Sequence, residues 1–202
     1  MIQLSGLVAV HAQLEPVITE MLPLKRAALL EIASGHPLVN HQGDGKVPST
    51  ERMWDQLLSA GLRVFAVAVD DVHNLREEFT NERPNPGRGW VVVRAASLTR
   101  DRILAALDGG DFYASTGVIL KDIQVTADSL TLDIDPGTSP GSPPHFRAFF
   151  IGQDGRALTV SDDNPSRYRF VGNEGYVRAR VEDSNGLRAW TQPVFVKVNR
   201  DR

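Results

Sequence analysis

The first half of the chain alternates short apolar runs with stretches of helical periodicity. The apolar runs predict strands at residues 6–12, 27–33, 63–69, 89–95 and 112–115. One helix is expected to begin at Ser49 or Thr50 and to end at Gly61, and another to begin at Ser97 or Thr99 and to end at Gly109. Strands separated by helices are typical of β/α units around a parallel sheet.

The second half has a different pattern, in which short alternating runs are separated by turn residues. Strands are predicted at residues 123–126, 130–134, 146–151, 176–181 and 194–198. Asp154 with Gly155 and Asn185 with Gly186 are dipeptides typical of tight hairpins. We therefore expect an α/β domain over residues 1–117 and a small antiparallel β-sandwich-like domain over residues 118–202.

Composition narrows the class of protein. The net charge of −3 argues against a nucleic-acid partner, because phosphate binding needs clustered Lys and Arg. The absence of Cys excludes disulfides, thiolate zinc sites and a cysteine nucleophile. The N-terminal residues lack a basic segment, and their apolar stretch is too short to span a bilayer. We expect a cytoplasmic protein without a membrane partner.

The strongest candidate chemistry follows the apolar run at residues 63–69. Asp71 and His73 are two residues apart, so in extended chain their side chains share a face and can bind one cation. Carboxylate and imidazole together suit Zn, Mn or Fe. The competing interpretation is a hydrogen-bonded turn without a metal.

Other polar residues at the ends of predicted strands extend this candidate site. Glu31 lies in the apolar run at 27–33, where burying a carboxylate is costly unless it is paired or coordinated. His36 lies in the loop that follows and is equally compatible with a turn residue facing solvent. His11, within the first apolar run, is better explained as a core histidine.

Several segments together resemble one family of enzymes. They are residues 68–73 (AVDDVH), 85–95 (NPGRGWVVVRA), 110–117 (GDFYASTG), 30–37 (LEIASGHP), 176–178 (YVR) and 189–193 (AWTQP). This combination resembles the polymerase and histidinol phosphatase (PHP) metallohydrolases, in particular the bacterial subgroup that includes carbaryl hydrolases. The resemblance extends over nearly the whole chain.

The resemblance implies a distorted (β/α)7 barrel with two or three divalent metals and a metal-activated water that attacks phosphoesters. It makes Asp71 and His73 metal ligands. If the chain is an enzyme, Glu31 or His36 are candidates for auxiliary groups at the metal site. The chain departs from the family in two places. No His-x-His strand precedes Gly6, and Gln13 stands where the family has a metal-binding histidine.

We therefore expect the C-terminal portion of a PHP-type enzyme, that is, a partial (β/α) barrel followed by a β-sandwich. One hypothesis is a metal-dependent hydrolase of small phosphoesters with an incomplete site. The alternative is a catalytically inactive remnant that serves as a binding or interaction module. A third is that Met1 is an internal start. An incomplete barrel would need its C-terminal strands, a second copy or a companion chain to cover its open edges.

Overall fold

The computed structural model describes residues 29–44, 46–76, 79–137 and 144–196. Contacts divide the chain into two compact units, Met1–Thr116 and Gly117–Arg202. The strand predicted at residues 6–12, with His11 and Gln13 at its end, lies outside the described residues. Within the described ranges, neither α-helix is long and apolar enough to cross a membrane.

The first unit contains one parallel pair of strands, β1 (Leu29–Ser34) and β2 (Phe65–Val69), connected through α1 (Thr50–Ser59). The Ser49 side chain caps α1 by accepting the Arg52 N–H at 3.1 Å. The Thr50 hydroxyl donates to the Ile32 carbonyl at 2.6 Å, and the Trp54 indole N–H donates to the Val64 carbonyl at 2.9 Å. These two bonds attach the helix to β1 and to the residue before β2.

Two further strands in the described part of this unit are antiparallel to each other. β3 (Trp90–Val93) and β4 (Phe112–Ser115) pair from Trp90 opposite Ser115 to Val93 opposite Phe112. Between them lies α2 (Arg100–Gly109), which ends at Gly110 in the left-handed conformation with φ 79°. Phe65 of β2 packs edge-on against Phe112 of β4, with ring centroids 6.0 Å apart, in the core of the unit.

The expected α/β fold, a partial PHP-type (β/α) barrel, is wrong. The described residues contain more strand than helix, with two α-helices; β1 pairs parallel with β2, and the larger sheets are antiparallel. No helix lies among the described residues between β2 and β3, a stretch that contains Pro84, Pro86 and Gly89. The chain after α2 then returns antiparallel to β3, so the repeated parallel crossover that builds a barrel does not form.

The second unit consists of antiparallel strands in two groups. Its strands are β5 (Leu120–Val125), β6 (Ser129–Ile134), β7 (Phe146–Gly152), β8 (Arg156–Ser161), β9 (Ser166–Arg169), β10 (Tyr176–Asp183), β11 (Arg188–Thr191) and β12 (Val194–Phe195). One group has the order β11, β10, β7, β8 with β12 also on β10, and the other has the order β5, β6, β9. Phe150 of β7 stacks on Tyr168 of β9 at 5.7 Å, which packs the two groups together.

Glu174 organises the loop that precedes β10. Its side chain is buried and accepts hydrogen bonds from the N–H groups of Val171 and Gly172 and from the Tyr168 hydroxyl. Burial opposes ionisation of Glu174, but these hydrogen bonds outweigh it and lower the pKa of its carboxyl. Burial and the adjacent Glu174 carboxylate raise the pKa of Tyr168 to about 12. The loop is therefore closed around an ionised carboxylate.

We predict that Glu174→Gln lowers the free energy of unfolding by about 1–3 kcal/mol at pH 7, because charge-assisted hydrogen bonds are lost. A pKa depressed by folding contributes stability above the unfolded value, about 4.3 for Glu, and loses it as pH falls through the folded value. The difference between the variant and the native protein should therefore shrink at pH 3. Urea unfolding followed by circular dichroism at both pH values measures it.

The matched control is Asp162→Asn, which removes an exposed carboxylate paired with Arg147 at 3.2 Å. Such surface pairs contribute little, so this variant should stay within about 0.5 kcal/mol of the native protein. A Glu174→Gln effect of equal size at pH 7 and pH 3 would contradict the role of the charge.

Candidate metal site

The candidate site lies on the loops that leave the parallel strands β1 and β2. Parallel strands present their carboxyl ends at the same edge, so the residues that follow them meet. The Gly35 N–H donates to the Val69 carbonyl at 2.8 Å and continues the pairing beyond β1. A Cβ at Gly35 would lie 2.7 Å from the Arg88 Cβ and 2.9 Å from the Asp70 carbonyl oxygen, so only glycine fits there.

The structure brings His36, Asp71 and His73 together. Each offers one ligand atom, and these atoms all lie within 4.8 Å of one another. His73 Nε2 lies 3.2 Å from Asp71 Oδ1, and the rings of His36 and His73 are perpendicular, with centroids 5.5 Å apart. Among the described residues, this is the one group of His and acidic side chains close enough to hold a metal ion.

The donor set fits one divalent cation. Two imidazole nitrogens and a carboxylate oxygen are ligands for Zn, Mn or Fe. Ligands on a tetrahedral ion are roughly 3.3–3.6 Å apart, so atoms that lie within 4.8 Å of one another need to approach by about 1.5 Å at most. Three ligands are too few for two ions bridged about 3.5–4 Å apart.

His36 already has a hydrogen bond that competes with a metal. Its Nδ1 accepts the Leu38 N–H at 3.1 Å, so a neutral ring carries its proton on Nε2. A cation at Nε2 requires that proton to move to Nδ1, and a cation at Nδ1 replaces the Leu38 N–H. Either arrangement breaks the hydrogen bond, at a cost of about 1 kcal/mol. We therefore expect the site to bind a metal weakly.

Asp71 adopts a backbone conformation that restricts which residues can replace it. Its φ is 50°, in the left-handed region that Gly, Asn and Asp tolerate better than other residues. This turn aims the Asp71 carboxylate at His73 while the preceding Asp70 takes another direction. Asp70 accepts the N–H groups of Arg88 at 2.6 Å and Gly89 at 2.9 Å.

Glu31, predicted to approach the site from β1, is buried with 6% of its surface exposed. Burial raises the pKa of its carboxyl, a hydrogen bond with Ser34 opposes the rise, and the nearby negative charge of Asp71 adds to it. Glu31 therefore lies close enough to Asp71 to sense its charge, but outside the group of three ligand atoms. It keeps its proton to a higher pH than an ordinary Glu.

Asp70 is the site residue that sequence reasoning left without a role. Partial burial opposes its ionisation, but hydrogen bonds from the backbone of residues 87–89 and the charge of Arg88 lower its pKa. The available signal was the adjacent pair Asp70 and Asp71, whose side chains leave the chain in different directions. One carboxylate fixes the loop and the other faces the histidines.

We predict that Asp71→Asn leaves the stability of the metal-free protein within about 0.5 kcal/mol, because Asn tolerates a positive φ. Asp71→Ala should lower the free energy of unfolding by about 1 kcal/mol more, because a Cβ without a local hydrogen bond is strained there. Urea unfolding with a chelator present measures both. Equal stabilities for the Asn and Ala variants would contradict a strained turn.

Comparison of the chain with protein-family models, with curated proteins and with solved structures finds no match.

Proposed function

We propose that this chain is a metal-dependent hydrolase that binds one divalent cation through His36, Asp71 and His73 and acts slowly on small phosphoesters. The observation that carries the proposal is the convergence of three ligand atoms within 4.8 Å, from two loops at the carboxyl ends of parallel strands. The resemblance of residues 68–73 and 85–95 to PHP metallohydrolases supports the reaction class. The barrel of that family forms no part of the proposal.

The environment of the three side chains supports binding of a small molecule. The His73 side chain is 64% exposed, whereas that of Asp71 is 15% exposed. The Asp71 carboxylate therefore lies on the side of the candidate site that faces the protein, and His73 lies on the side that faces solvent. A solvent-open face is what a phosphoester needs in order to reach a bound cation.

Each residue has a defined part in the proposed reaction. A bound cation would supply a water of lowered pKa and positive charge for the phosphoryl oxygens. The Asp71 carboxylate would offset part of the positive charge of the cation. His36 and His73 would hold the cation in place as neutral ligands. Glu31, whose pKa is raised, is placed to hold a proton beside Asp71.

The number of ligands sets the expected rate. A catalytic zinc site commonly uses three protein ligands and keeps an open position, whereas two-metal hydrolysis needs a larger set. The three residues here satisfy the first requirement and not the second. We therefore expect weak binding of one cation and turnover well below that of a two-metal enzyme.

We predict that the protein retains at most one Zn or Mn per chain, and that Asp71→Asn and His73→Ala each weaken binding at least about tenfold, because each removes one of three ligands. Metal titration followed by dialysis and elemental analysis measures both stoichiometry and affinity. The control is His145→Ala, since His145 is an exposed histidine of the second unit and should not affect binding. Two tightly retained ions would contradict the one-cation site.

We predict that hydrolysis of p-nitrophenyl phosphate with added Mn or Zn is slow and falls at least about tenfold in Asp71→Asn. His145→Ala should hydrolyse the substrate at the native rate. Turnover that survives Asp71→Asn, or the absence of both metal binding and turnover in the native protein, would contradict the proposal. The second result would favour the alternative of an inactive binding module.

A further inference from the structure

Arg88 connects the two loops that carry the candidate ligands. Its Nη1 donates to the Gly35 carbonyl at 3.1 Å, and its Nη2 donates to the Thr80 carbonyl. Nη2 also lies 3.4 Å from Asn85 Oδ1. The Arg88 backbone N–H donates to Asp70 Oδ1 at 2.6 Å. Arg88 thus contacts three segments of the chain, of which the one at Gly35 is 53 residues away.

Two partners of Arg88 directly precede a candidate ligand in the sequence. Gly35 precedes His36, and Asp70 precedes Asp71. A displacement of Gly35 or Asp70 therefore moves a candidate ligand with it, because adjacent residues share a peptide bond. Thr80 lies seven residues after His73.

The segment around Arg88 also supports the loop of His73 through the backbone. The N–H groups of His73 and Asn74 donate to the Pro84 carbonyl at 3.1 and 3.2 Å. The buried Asn85 side chain donates to the Asn74 carbonyl at 3.2 Å and accepts the Thr80 N–H at 3.0 Å. These bonds fix the His73 loop to residues 84–88, and the Arg88 guanidinium extends the connection to the His36 loop.

The chemistry of this connection suits arginine in particular. A planar guanidinium presents several N–H groups in a rigid fork, so it can donate to two carbonyls at once. Lysine has one compact ammonium on a flexible chain and cannot reproduce that fork. The absence of a side chain at Gly35 is what lets the Arg88 Cβ approach, since a Cβ there would lie only 2.7 Å away.

We propose that Arg88 is a positioning residue for the metal site, which holds the loop of His36 against the loop of Asp71 and His73 and so sets the separation of the ligands. The metal-binding part of this inference depends on the proposed function, whereas the effect on the two loops does not. The Arg88 guanidinium donates hydrogen bonds to carbonyls of the two loops. It therefore affects metal binding only by setting the positions of the three ligands.

The first test needs no metal. In the native protein, the perpendicular rings of His36 and His73 are close enough for a nuclear Overhauser effect between their imidazole protons. The effect should be lost in Arg88→Ala and in Arg88→Lys, and retained in Arg76→Ala, which removes an exposed cation from the same loop. An unchanged effect in both Arg88 variants would overturn the inference. Circular dichroism checks that each variant is folded. If Arg88→Ala does not fold, the test is made with Arg88→Lys.

The second test uses Co²⁺, whose visible spectrum reports its coordination. Arg88→Ala should bind Co²⁺ at least about tenfold more weakly than the native protein and with an altered spectrum, because the ligands are no longer held together. Millimolar guanidinium ion should restore part of both, and Arg76→Ala should match the native protein. If Arg88→Ala binds Co²⁺ with the native affinity and spectrum, the role of Arg88 is overturned and the proposed function is unaffected. If the native protein does not bind Co²⁺, the proposed function is contradicted. The nuclear Overhauser effect between His36 and His73 would then still decide the role of Arg88.

Discussion

The pairing of β1 with β2 is the constraint on which the candidate site depends. The strands run parallel, and the Gly35 N–H extends their ladder by donating to the Val69 carbonyl at 2.8 Å. His36 follows one strand directly and Asp71 follows the other. Without this shared edge, the two loops that carry the three candidate ligands would not meet.

The consecutive carboxylates Asp70 and Asp71 have different roles in the second loop. Asp70 is held by backbone N–H groups of Arg88 and Gly89, and it fixes the chain just before the turn. Asp71 takes a positive φ of 50° and directs its carboxylate to His73. The loop is thus held by hydrogen bonds at Asp70, and it presents the exposed His73 side chain to solvent. This division is the kind of preorganisation that a weak three-ligand site needs.

Local features of the fold were predictable from the sequence, and its topology was not. The strands at 112–115 and 130–134 were predicted correctly, and the helix cap was expected at Ser49 or Thr50 and is Ser49, because these features depend on periodicity and on cap chemistry within a few residues. The mainly parallel sheet was wrong, because the apolar run of β3 does not encode which strand it pairs with or in which direction. The strands β8, β9 and β11 were missed because Arg and other polar residues in each of them interrupt the runs of apolar residues that the prediction depends on.

The site shows the same division between local and distant information. Asp71 and His73 were predicted because they are two residues apart, whereas Arg88 was missed because its partner Gly35 lies 53 residues away.

The most direct test of the proposed metal site is a crystal of the protein soaked in Zn²⁺ and measured by anomalous diffraction. The account predicts one anomalous peak about 2.0–2.2 Å from ligand atoms of His36, Asp71 and His73. A peak elsewhere, or no peak at these residues, would contradict it.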